Sequence, residues 1–424
     1  MQATTLTVVF VLFLALSMAV RLWLASRQVR HVARHRDSVP PQFAHRVGLH
    51  AHQRAADYTV AKVKLGIVDS LISVVVVIGL TLLGGLQWIA GLWAAWLPES
   101  PLLEQVAIVM SVVALTSLIE IPMDAWRQFR LEERFGFNRM TVRLFISDLL
   151  KSAALAAAIG LPLLAAVLWL MQKAGSGWWL WAWVLWVSFN LLILFIYPTV
   201  IAPLFNRFKP LEAGAVRSRV ESLLERCGFS SNGLFVMDGS RRSAHGNAYF
   251  TGFGKGKRIV FFDTLLSRLD VDEIEAVLAH ELGHFKKRHI LKRLALAFGA
   301  SFVGLALLGY LSAQPWFYQG LGVTIDPAAP PPAGIALVLF FLTLPVFTFV
   351  LRPLATHFSR RDEFEADAFA ASLADPGRLT SALVKLYEDN ASTLTPDPVH
   401  SAFYDSHPPA AIRIDRLSSL GSAA

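Results

Sequence analysis

The chain has 424 residues, 54% of them hydrophobic and only 17% charged, and so few charges exclude an ordinary water-soluble fold of this size. The formal net charge of +8 does not indicate nucleic-acid binding, because the basic residues lie between apolar runs and form no stripe with stacking aromatic residues. Cys227 is the only cysteine, which excludes an intrachain disulfide and a cysteine-based metal site. We therefore expect a membrane protein that holds any metal with histidine and carboxylate side chains.

Seven apolar stretches are long enough to cross a hydrocarbon core of about 30 Å as helices. They cover residues 5–25, 66–96, 102–125, 147–171, 178–204, 292–313 and 334–352. The first is interpreted as a retained span and not as a signal peptide, because it lacks preceding basic residues and a small-residue cleavage site. The second is longer than one span requires, so we expect it to tilt or to project beyond the bilayer. The predicted fold class is an α-helical polytopic membrane protein with seven transmembrane helices.

Positively charged residues are distributed unevenly between the connections of these spans. The connections after the first, third and last spans are basic, and so is the segment 207–291. Pro98–Pro101 and residues 314–333 contain no lysine or arginine, and the connection after the fourth span has only Lys173. Since cytoplasmic connections carry the positive charge, we predict an external N-terminus, with the catalytic segments and the C-terminus in the cytoplasm. The expected membrane is a bacterial inner membrane, or the endoplasmic reticulum membrane in a eukaryote.

The chain is predicted to divide into four parts at the ends of its apolar stretches. These are transmembrane helices 1–5 over residues 1–206, a cytoplasmic catalytic insert over 207–291, transmembrane helices 6 and 7 over 292–353, and a C-terminal cytoplasmic segment over 354–424. The insert has the pattern of a small, zincin-like α+β unit. We expect it to contain a helix over Ala215–Cys227, a strand over Gly233–Asp238, and a hairpin of Asn247–Phe253 and Lys257–Phe262 around Gly254-Lys255-Gly256.

A metal-binding motif lies inside the last predicted helix of the insert. Asp270 and Glu273 have the spacing of a capping box, so this helix is predicted to begin at Asp270. Apolar residues then recur at helical spacing, namely Ile274, Val277, Leu278 and Leu282. The helix therefore contains His280-Glu281-Leu282-Gly283-His284, which matches H-E-x-x-H.

This motif predicts a zinc protease. Residues four apart lie on one helical face, so His280 and His284 can bind one zinc ion per chain. Glu281 lies beside them and is the predicted general base, which accepts a proton as a zinc-activated water attacks a carbonyl group. The capped helix around the motif argues against a chance match on a surface helix.

A catalytic zinc site needs a third protein ligand, and the best source lies just after the last span. Glu363 and Asp367 are four residues apart, so one can bind zinc while the other accepts the remaining N–H of a ligand imidazole. Glu365 points elsewhere on that helix. His289 is a rival third ligand, but it lies about 100° per residue further round the motif helix and misses the shared face.

Ordered matches along most of the chain resemble the type I CAAX prenyl protease family, whose members are membrane gluzincins. The matching segments are Glu132–Asn138, Ile201–Phe205, Gly239–Ser243, Asn247–Phe250, His280–His284, Ser359–Arg361, Glu363–Asp367 and Ser406–Pro409. The resemblance implies an endopeptidase that cleaves near the C-terminus of isoprenylated proteins. It also implies seven helices around a large water-filled chamber, with the zinc site at its cytoplasmic end. Expected partners are a prenylated protein or peptide and the lipid bilayer, while the oligomeric state stays open and a monomer is compatible.

The resemblance also implies roles for individual residues. Glu363 would be the third zinc ligand, and Asp367 would support a ligand histidine. Asn247-Ala248 would lie on an edge strand that pairs with the substrate backbone. His407 would stabilise the oxyanion, with Arg413 nearby as a further substrate contact. Without the resemblance, His407 could sit in a rigid loop, Asn247 in an ordinary turn, and Arg413 at the lipid headgroups.

Two other functions fit part of the sequence. A quality-control protease that degrades misfolded membrane proteins would share the metal chemistry and differ in its substrates. A transporter or channel would use ionisable residues in or near the spans. Such residues are present at Asp69, Glu120, Asp124 and Asp148. However, the sequence contains no broken-helix repeat, which argues against transport.

Overall fold

The computed structural model describes residues 1–229, 232–251, 258–326 and 330–421. Within these residues, seven helical segments are long and apolar enough to cross a membrane. They are Ala3–Arg34, Leu49–Leu80, Pro101–Glu132, Val142–Lys173, Gly175–Phe205, His289–Ser312 and Ala333–Ala371. Each predicted stretch overlaps one of these segments, so the predicted fold class is confirmed.

Helices and strands are labelled here in chain order. The α-helices are α1 (Ala3–Arg34), α2 (Leu49–Leu80), α3 (Gly85–Trp96), α4 (Pro101–Trp126), α5 (Val142–Lys173), α6 (Trp178–Ile196), α7 (Ala202–Phe205), α8 (Ala215–Arg226), α9 (Asp263–Leu266), α10 (Val271–Lys286), α11 (His289–Ser312), α12 (Pro315–Gly320), α13 (Ala333–Thr348), α14 (Arg352–Ala371), α15 (Pro376–Asp389), α16 (Pro398–Tyr404) and α17 (Ala410–Gly421). The strands are β1 (Phe208–Pro210), β2 (Leu234–Met237), β3 (Ala248–Thr251) and β4 (Arg258–Phe262). Two π-helical segments, Arg127–Glu132 and Tyr197–Ile201, continue α4 and α6.

The second apolar stretch, 66–96, was predicted to form one long span that tilts or projects beyond the bilayer, and this prediction is wrong. The stretch is divided, because α2 ends at Leu80 and α3 is a separate short helix. Gly84 precedes α3 with a φ of 76°, a left-handed conformation that glycine adopts without steric cost. The second span instead reaches toward the N-terminus and begins at Leu49. Lys62, which the sequence placed in a connection, therefore lies in a membrane-crossing helix.

The last span is the central helix of the membrane region. Within an 18-residue apolar stretch of this span 56% of the residues are buried, whereas in the corresponding stretch of α2 only 6% are buried. Apolar residues from α1, α3, α4, α12 and α13 form the core around it. They include Phe10, Leu86, Ile108, Tyr318 and Leu339. α2 instead lines a cavity of about 650 Å³ that also contacts α1, α4 and α13.

A four-stranded sheet of order β1-β2-β4-β3 forms the centre of the polar insert. β2 and β4 are parallel, and β3 runs antiparallel to β4 with Ala248 opposite Phe261. The two strands of the predicted hairpin are therefore paired, while residues 252–257, which include its turn, lie outside the described residues. β3 is an edge strand of this sheet, so the outer backbone groups of Ala248–Thr251 pair with no other described strand.

Polar contacts fix the start of α10, the helix that carries the metal-binding motif. Asp270 and Glu273 form the predicted capping box. The Glu273 carboxylate also accepts hydrogen bonds from Ser381 Oγ at 2.8 Å and from Lys385 Nζ at 2.6 Å. Glu273 is fully buried, so an unpaired carboxylate here would be costly. These contacts attach the N-terminus of α10 to α15.

Candidate metal centre and active site

α10 and α14 approach each other very closely at a pair of small residues. A Cβ atom added to Gly283 would lie 2.9 Å from Ala366 Cα, too close for a real side chain. Gly283 precedes His284 in α10, and Ala366 precedes Asp367 in α14. Because both contact residues are small, the helix backbones come together and the functional side chains beside them can meet. The motif of the insert is thereby joined to α14, the C-terminal part of the last membrane-crossing segment.

Three side chains converge at this crossing. Ligand atoms of His280, His284 and Glu363 lie within 4.8 Å of one another. The two histidine Nε2 atoms are 3.3 Å apart. His280 Nε2 lies 3.4 Å from Glu363 Oε2, and His284 Nε2 lies 3.3 Å from Glu363 Oε1. Spacing alone left Glu363 and Asp367 as equal candidates, and the structure places Glu363 opposite both histidines.

Asp367 lies behind His280, on the side away from Glu363. Its Oδ1 is 2.9 Å from His280 Nδ1, the position of a partner that accepts the second imidazole N–H. Arg413 donates to both Asp367 oxygens, from Nε at 2.9 Å and from Nη2 at 2.6 Å. Only 4% of Arg413 is exposed, and its Nη1 also lies 3.9 Å from Glu363 Oε2. The expectation that Arg413 also contacts substrate stays a prediction.

His289 provides the corresponding contact for His284, which the sequence did not reveal. His284 Nδ1 and His289 Nδ1 are 3.0 Å apart, and His289 Nε2 lies 3.2 Å from Glu365 Oε2. His289 is not among the three converging side chains, and contrary to the prediction it does not continue the motif helix. α10 ends at Lys286, Arg288 has a φ of 58°, and α11 begins in a new direction at His289.

The chemistry of the converging atoms fits a zinc ion. Because the Nδ1 proton of His280 is directed at Asp367, Nε2 would bind a metal on the side of Glu363 once it has lost its own proton. Glu363 Oε2 is buried without a hydrogen-bond partner among the described residues, a costly arrangement that a bound cation would relieve. Burial alone would lower the pKa of His280, but the neighbouring carboxylates of Asp367 and Glu363 raise it to about 9. The carboxylates therefore favour positive charge at this position.

Glu281 follows His280 and is half-buried beside the three converging side chains. Burial raises the pKa of its carboxyl group above the ordinary value, while the charges of His280 and His284 act in the opposite direction. A raised pKa suits a general base that must accept and release a proton near neutral pH.

Comparison with known proteins decides the family. Residues 28–207 match the family model for the CAAX prenyl protease N-terminal region with five membrane helices, and residues 210–420 match peptidase family M48. The chain belongs to the CAAX prenyl proteases of peptidase family M48. It is therefore a multi-pass membrane metalloprotease, as the sequence predicted.

Individual relatives agree with this assignment. The CAAX prenyl protease 1 homolog of Oryza sativa subsp. japonica is 36% identical over 334 residues, which cover 77% of this chain and 75% of the relative. CAAX prenyl protease 1 of Saccharomyces cerevisiae is 38% identical over 315 residues, which cover 72% of this chain and 70% of the relative. The crystal structure of S. mikatae Ste24p superposes with a TM-score of 0.90 at 31% identity, covering 97% of this chain and 99% of that one.

The metal centre of this M48 peptidase is open on the side of His407. His407 Nε2 lies 3.4 Å from Glu363 Oε1, and 59% of its side chain is exposed. His407 lines a cavity of about 550 Å³, which has walls in common with a smaller one at Val63, His400 and Tyr404. The smaller cavity in turn shares Arg21 and Ser70 with the cavity of about 650 Å³ between the membrane helices. Three neighbouring cavities with shared wall residues thus lie between the membrane helices and His407.

The predicted substrate-binding strand lies at the edge of the sheet. β3 begins at Ala248, whose backbone N–H donates to Asn247 Oδ1 at 2.8 Å. The Asn247 side chain is exposed, while its carbonyl oxygen accepts from Phe262 N at 3.0 Å. An edge strand can add a substrate strand, so this role stays a prediction that the topology permits.

Ionisable residues of the spans line the cavity of about 650 Å³ between the membrane helices. Arg127 Nη2 lies 2.8 Å from Asp69 Oδ2, and Arg127 Nη1 lies 2.9 Å from Asp124 Oδ1. Asp148 instead holds Arg242, with Nε donating at 2.8 Å, and so attaches α5 to the loop before β3. These residues face a cavity or support the insert, so they are accounted for without a transport pathway.

Proposed function

We propose that this peptidase cleaves peptide bonds near the C-terminus of prenylated, CAAX-type proteins, using one zinc ion held by His280, His284 and Glu363. The observation that carries the proposal is the convergence of these ligand atoms within 4.8 Å, next to Glu281 in the same helix. Two histidines and a glutamate are a ligand set of catalytic zinc sites. The substrate class is supported by the rice and yeast relatives, both of which are named CAAX prenyl protease 1 or its homolog.

When bound, the zinc ion would polarise a water molecule and the carbonyl group of the cleaved bond. Glu281 accepts a proton from the attacking water and later donates it to the leaving amine nitrogen. His407, on the open side of Glu363, donates a hydrogen bond to the negative charge that develops on the carbonyl oxygen. These proton movements complete the hydrolysis of the amide bond.

The remaining site residues orient the substrate and the ligands. The exposed edge at Asn247-Ala248 pairs with the substrate backbone as an added strand. Asp367 fixes the ring of His280, and Arg413 fixes Asp367. Since Arg413 is buried, we propose that it acts on the substrate only through this chain of contacts.

The proposed orientation has an external N-terminus and a cytoplasmic metal centre, supported by the basic connections after the first, third and last spans. This orientation exposes the site to cytoplasmic protein C-termini. In a eukaryotic cell the membrane would be that of the endoplasmic reticulum, and in a bacterium the inner membrane.

Glu281→Gln tests the mechanism in the full-length protein. Zinc content is measured in purified protein, and cleavage is followed with a farnesylated peptide. We expect the variant to keep its zinc and to lose about 10²–10⁴-fold in rate, the contribution of a general base. Glu225→Gln, at an exposed position of α8, is the matched control and should change neither quantity. Unchanged cleavage by Glu281→Gln would show that the mechanism is wrong.

The same assay tests the substrate class. The farnesylated peptide is compared with its unprenylated twin, and we expect the farnesylated peptide to be cleaved with the higher kcat/KM. Equal values would contradict prenyl selectivity and favour a quality-control protease with the same metal chemistry.

A further inference from the structure

Lys62 is a cation in a membrane-crossing helix, and no acidic side chain among the described residues forms an ion pair with it. It lies in the first half of α2, and its side chain is exposed. Within the described part of the chain, its Nζ forms no ion pair, although it lies 4.2 Å from the centroid of the Tyr58 ring. Ionisable residues in membrane-crossing helices are costly and usually functional. We therefore expect this ammonium group to have a functional role.

Two carboxylates are close enough to act on Lys62 electrostatically, Glu132 and Asp405. Glu132 is already engaged, because its Oε1 accepts a hydrogen bond from Tyr58 Oη at 2.6 Å and its Oε2 lies 3.6 Å from His245 Nε2. Asp405 lines the same cavity as Lys62 without forming an ion pair to it among the residues described. The ammonium group thus remains available to an anion that enters the cavity.

This cavity adjoins the metal centre. Lys62 lines it together with Tyr387, Ser406 and His407, and its volume is about 550 Å³. His407 Nε2 lies only 3.4 Å from the proposed zinc ligand Glu363. A peptide with its cleaved bond at the metal centre can therefore extend past His407 toward Lys62.

We propose that Lys62 binds the C-terminal carboxylate of the peptide substrate in this cavity. The inference rests on the proposed function, because a bond near the C-terminus is cleaved only a few residues from a free carboxylate. An extended peptide advances about 3.3 Å per residue, so fixing the carboxylate sets the number of residues between the chain end and the cleaved bond. Lys62 thereby selects true C-termini over internal segments and amidated ends.

The test compares two prenylated peptides that differ only in a free or an amidated C-terminus. Cleavage by the full-length protein is measured as kcat and KM, for the wild type and for Lys62→Met, Lys62→Arg and Lys64→Met. Lys64 is the matched control, because it is exposed on the same helix but lies about 200° further round and does not line this cavity. Zinc content and thermal unfolding confirm that each variant is folded.

We expect the wild type to prefer the free carboxylate by about 10- to 100-fold in kcat/KM, mainly through KM, as for one hydrogen bond to a charged group. Lys62→Met should abolish the preference without slowing the amidated peptide, Lys62→Arg should keep part of it, and Lys64→Met should keep all of it. A wild type without the preference, or a Lys62→Met protein that retains it, overturns the proposal while cleavage itself persists. Should Lys62→Met not fold, the wild-type comparison and Lys62→Arg still decide. Cleavage of neither peptide by the wild type would instead contradict the proposed function.

Discussion

The metal centre has a closed flank behind His280 and an open flank behind His284. On the closed flank, the second nitrogen of His280 contacts Asp367, which Arg413 holds through both carboxylate oxygens. All three of these residues are buried. On the open flank, the second nitrogen of His284 contacts another imidazole, that of His289, which in turn contacts Glu365. The Glu365 side chain is 33% exposed, and Asp362, whose Oδ1 lies 3.6 Å from His289 Nε2, is 17% exposed, so this flank ends in partly hydrated carboxylates.

The two histidines of the proposed zinc site are supported by different physical means. A buried carboxylate paired with a buried guanidinium fixes one imidazole strongly, because electrostatic interactions gain strength where water is excluded. An imidazole that is itself supported by a partly hydrated carboxylate fixes the other less strongly. The closed flank belongs to α14 and α17, whereas His289 is the first residue of α11, the sixth membrane span. We therefore expect the closed flank to determine stability and metal affinity together, and the open flank to adjust metal affinity alone.

The largest effect is expected from Glu363→Ala, which removes the ligand that both flanks share. Two imidazoles fall short of the three protein ligands of a catalytic zinc site, so the purified variant should lack stoichiometric zinc. Its cleavage of a farnesylated peptide should fall at least as far as that of Glu281→Gln, but for a different reason. Metal analysis separates the two variants, because Glu281→Gln keeps its zinc. A Glu363→Ala protein with one zinc per chain would show that the two flanks hold the metal without Glu363.

A smaller effect is expected from Asp367→Asn, which alters the closed flank. The amide cannot balance the charge of Arg413, and removing one partner of a buried ion pair costs about 3–5 kcal/mol of unfolding free energy. Loss of the carboxylate behind a ligand histidine should also weaken zinc binding by about 10–100-fold. Thermal unfolding and competition with a chelator measure the two quantities.

A double variant separates the two consequences of Asp367→Asn. Adding Arg413→Gln removes the buried cation, so stability should partly recover while zinc affinity stays low. Asp37→Asn, whose side chain is 79% exposed, is the control and should change neither property. If Asp367→Asn lowered stability but left zinc affinity unchanged, the closed flank would have only a structural role.

Local signals in the sequence predict most of the fold and the candidate metal ligands His280, His284 and Glu363. The length of the continuous apolar stretches located the seven spans, and Asp270 with Glu273 located the start of the motif helix. Four-residue spacing predicted which side chains share a helical face, because that property depends only on helix geometry. Which of Glu363 and Asp367 faces the histidines could not be predicted from spacing, since it depends on how α10 crosses α14 at Gly283.

The features that escaped prediction depend on where helices end. His289 was assigned to a continued motif helix, but the chain turns at Arg288 with a positive φ that arginine rarely adopts and that no glycine or asparagine announces. Lys62 was counted among the charges of a connection, because apolar composition begins only after it. The structure extends α2 back to Leu49 and so places Lys62 on a cavity wall.

The smallest effect is expected on the open flank, where His289→Gln and His289→Ala form a graded pair. Bound zinc leaves the proton of His284 on Nδ1, so His289 must accept it at Nδ1 and donate from Nε2 to Glu365. Glutamine keeps an acceptor and should weaken zinc binding by less than about 10-fold, whereas alanine should approach the lower end of the 10–100-fold range. Zinc affinity is measured for both variants by chelator competition and by the rate of zinc release. His35→Ala is the control, because His35 is exposed and lies directly after the end of α1. Equal effects of glutamine and alanine would show that the hydrogen bond to His284 is unimportant. A loss with alanine larger than that of Asp367→Asn would reverse the order of the two flanks.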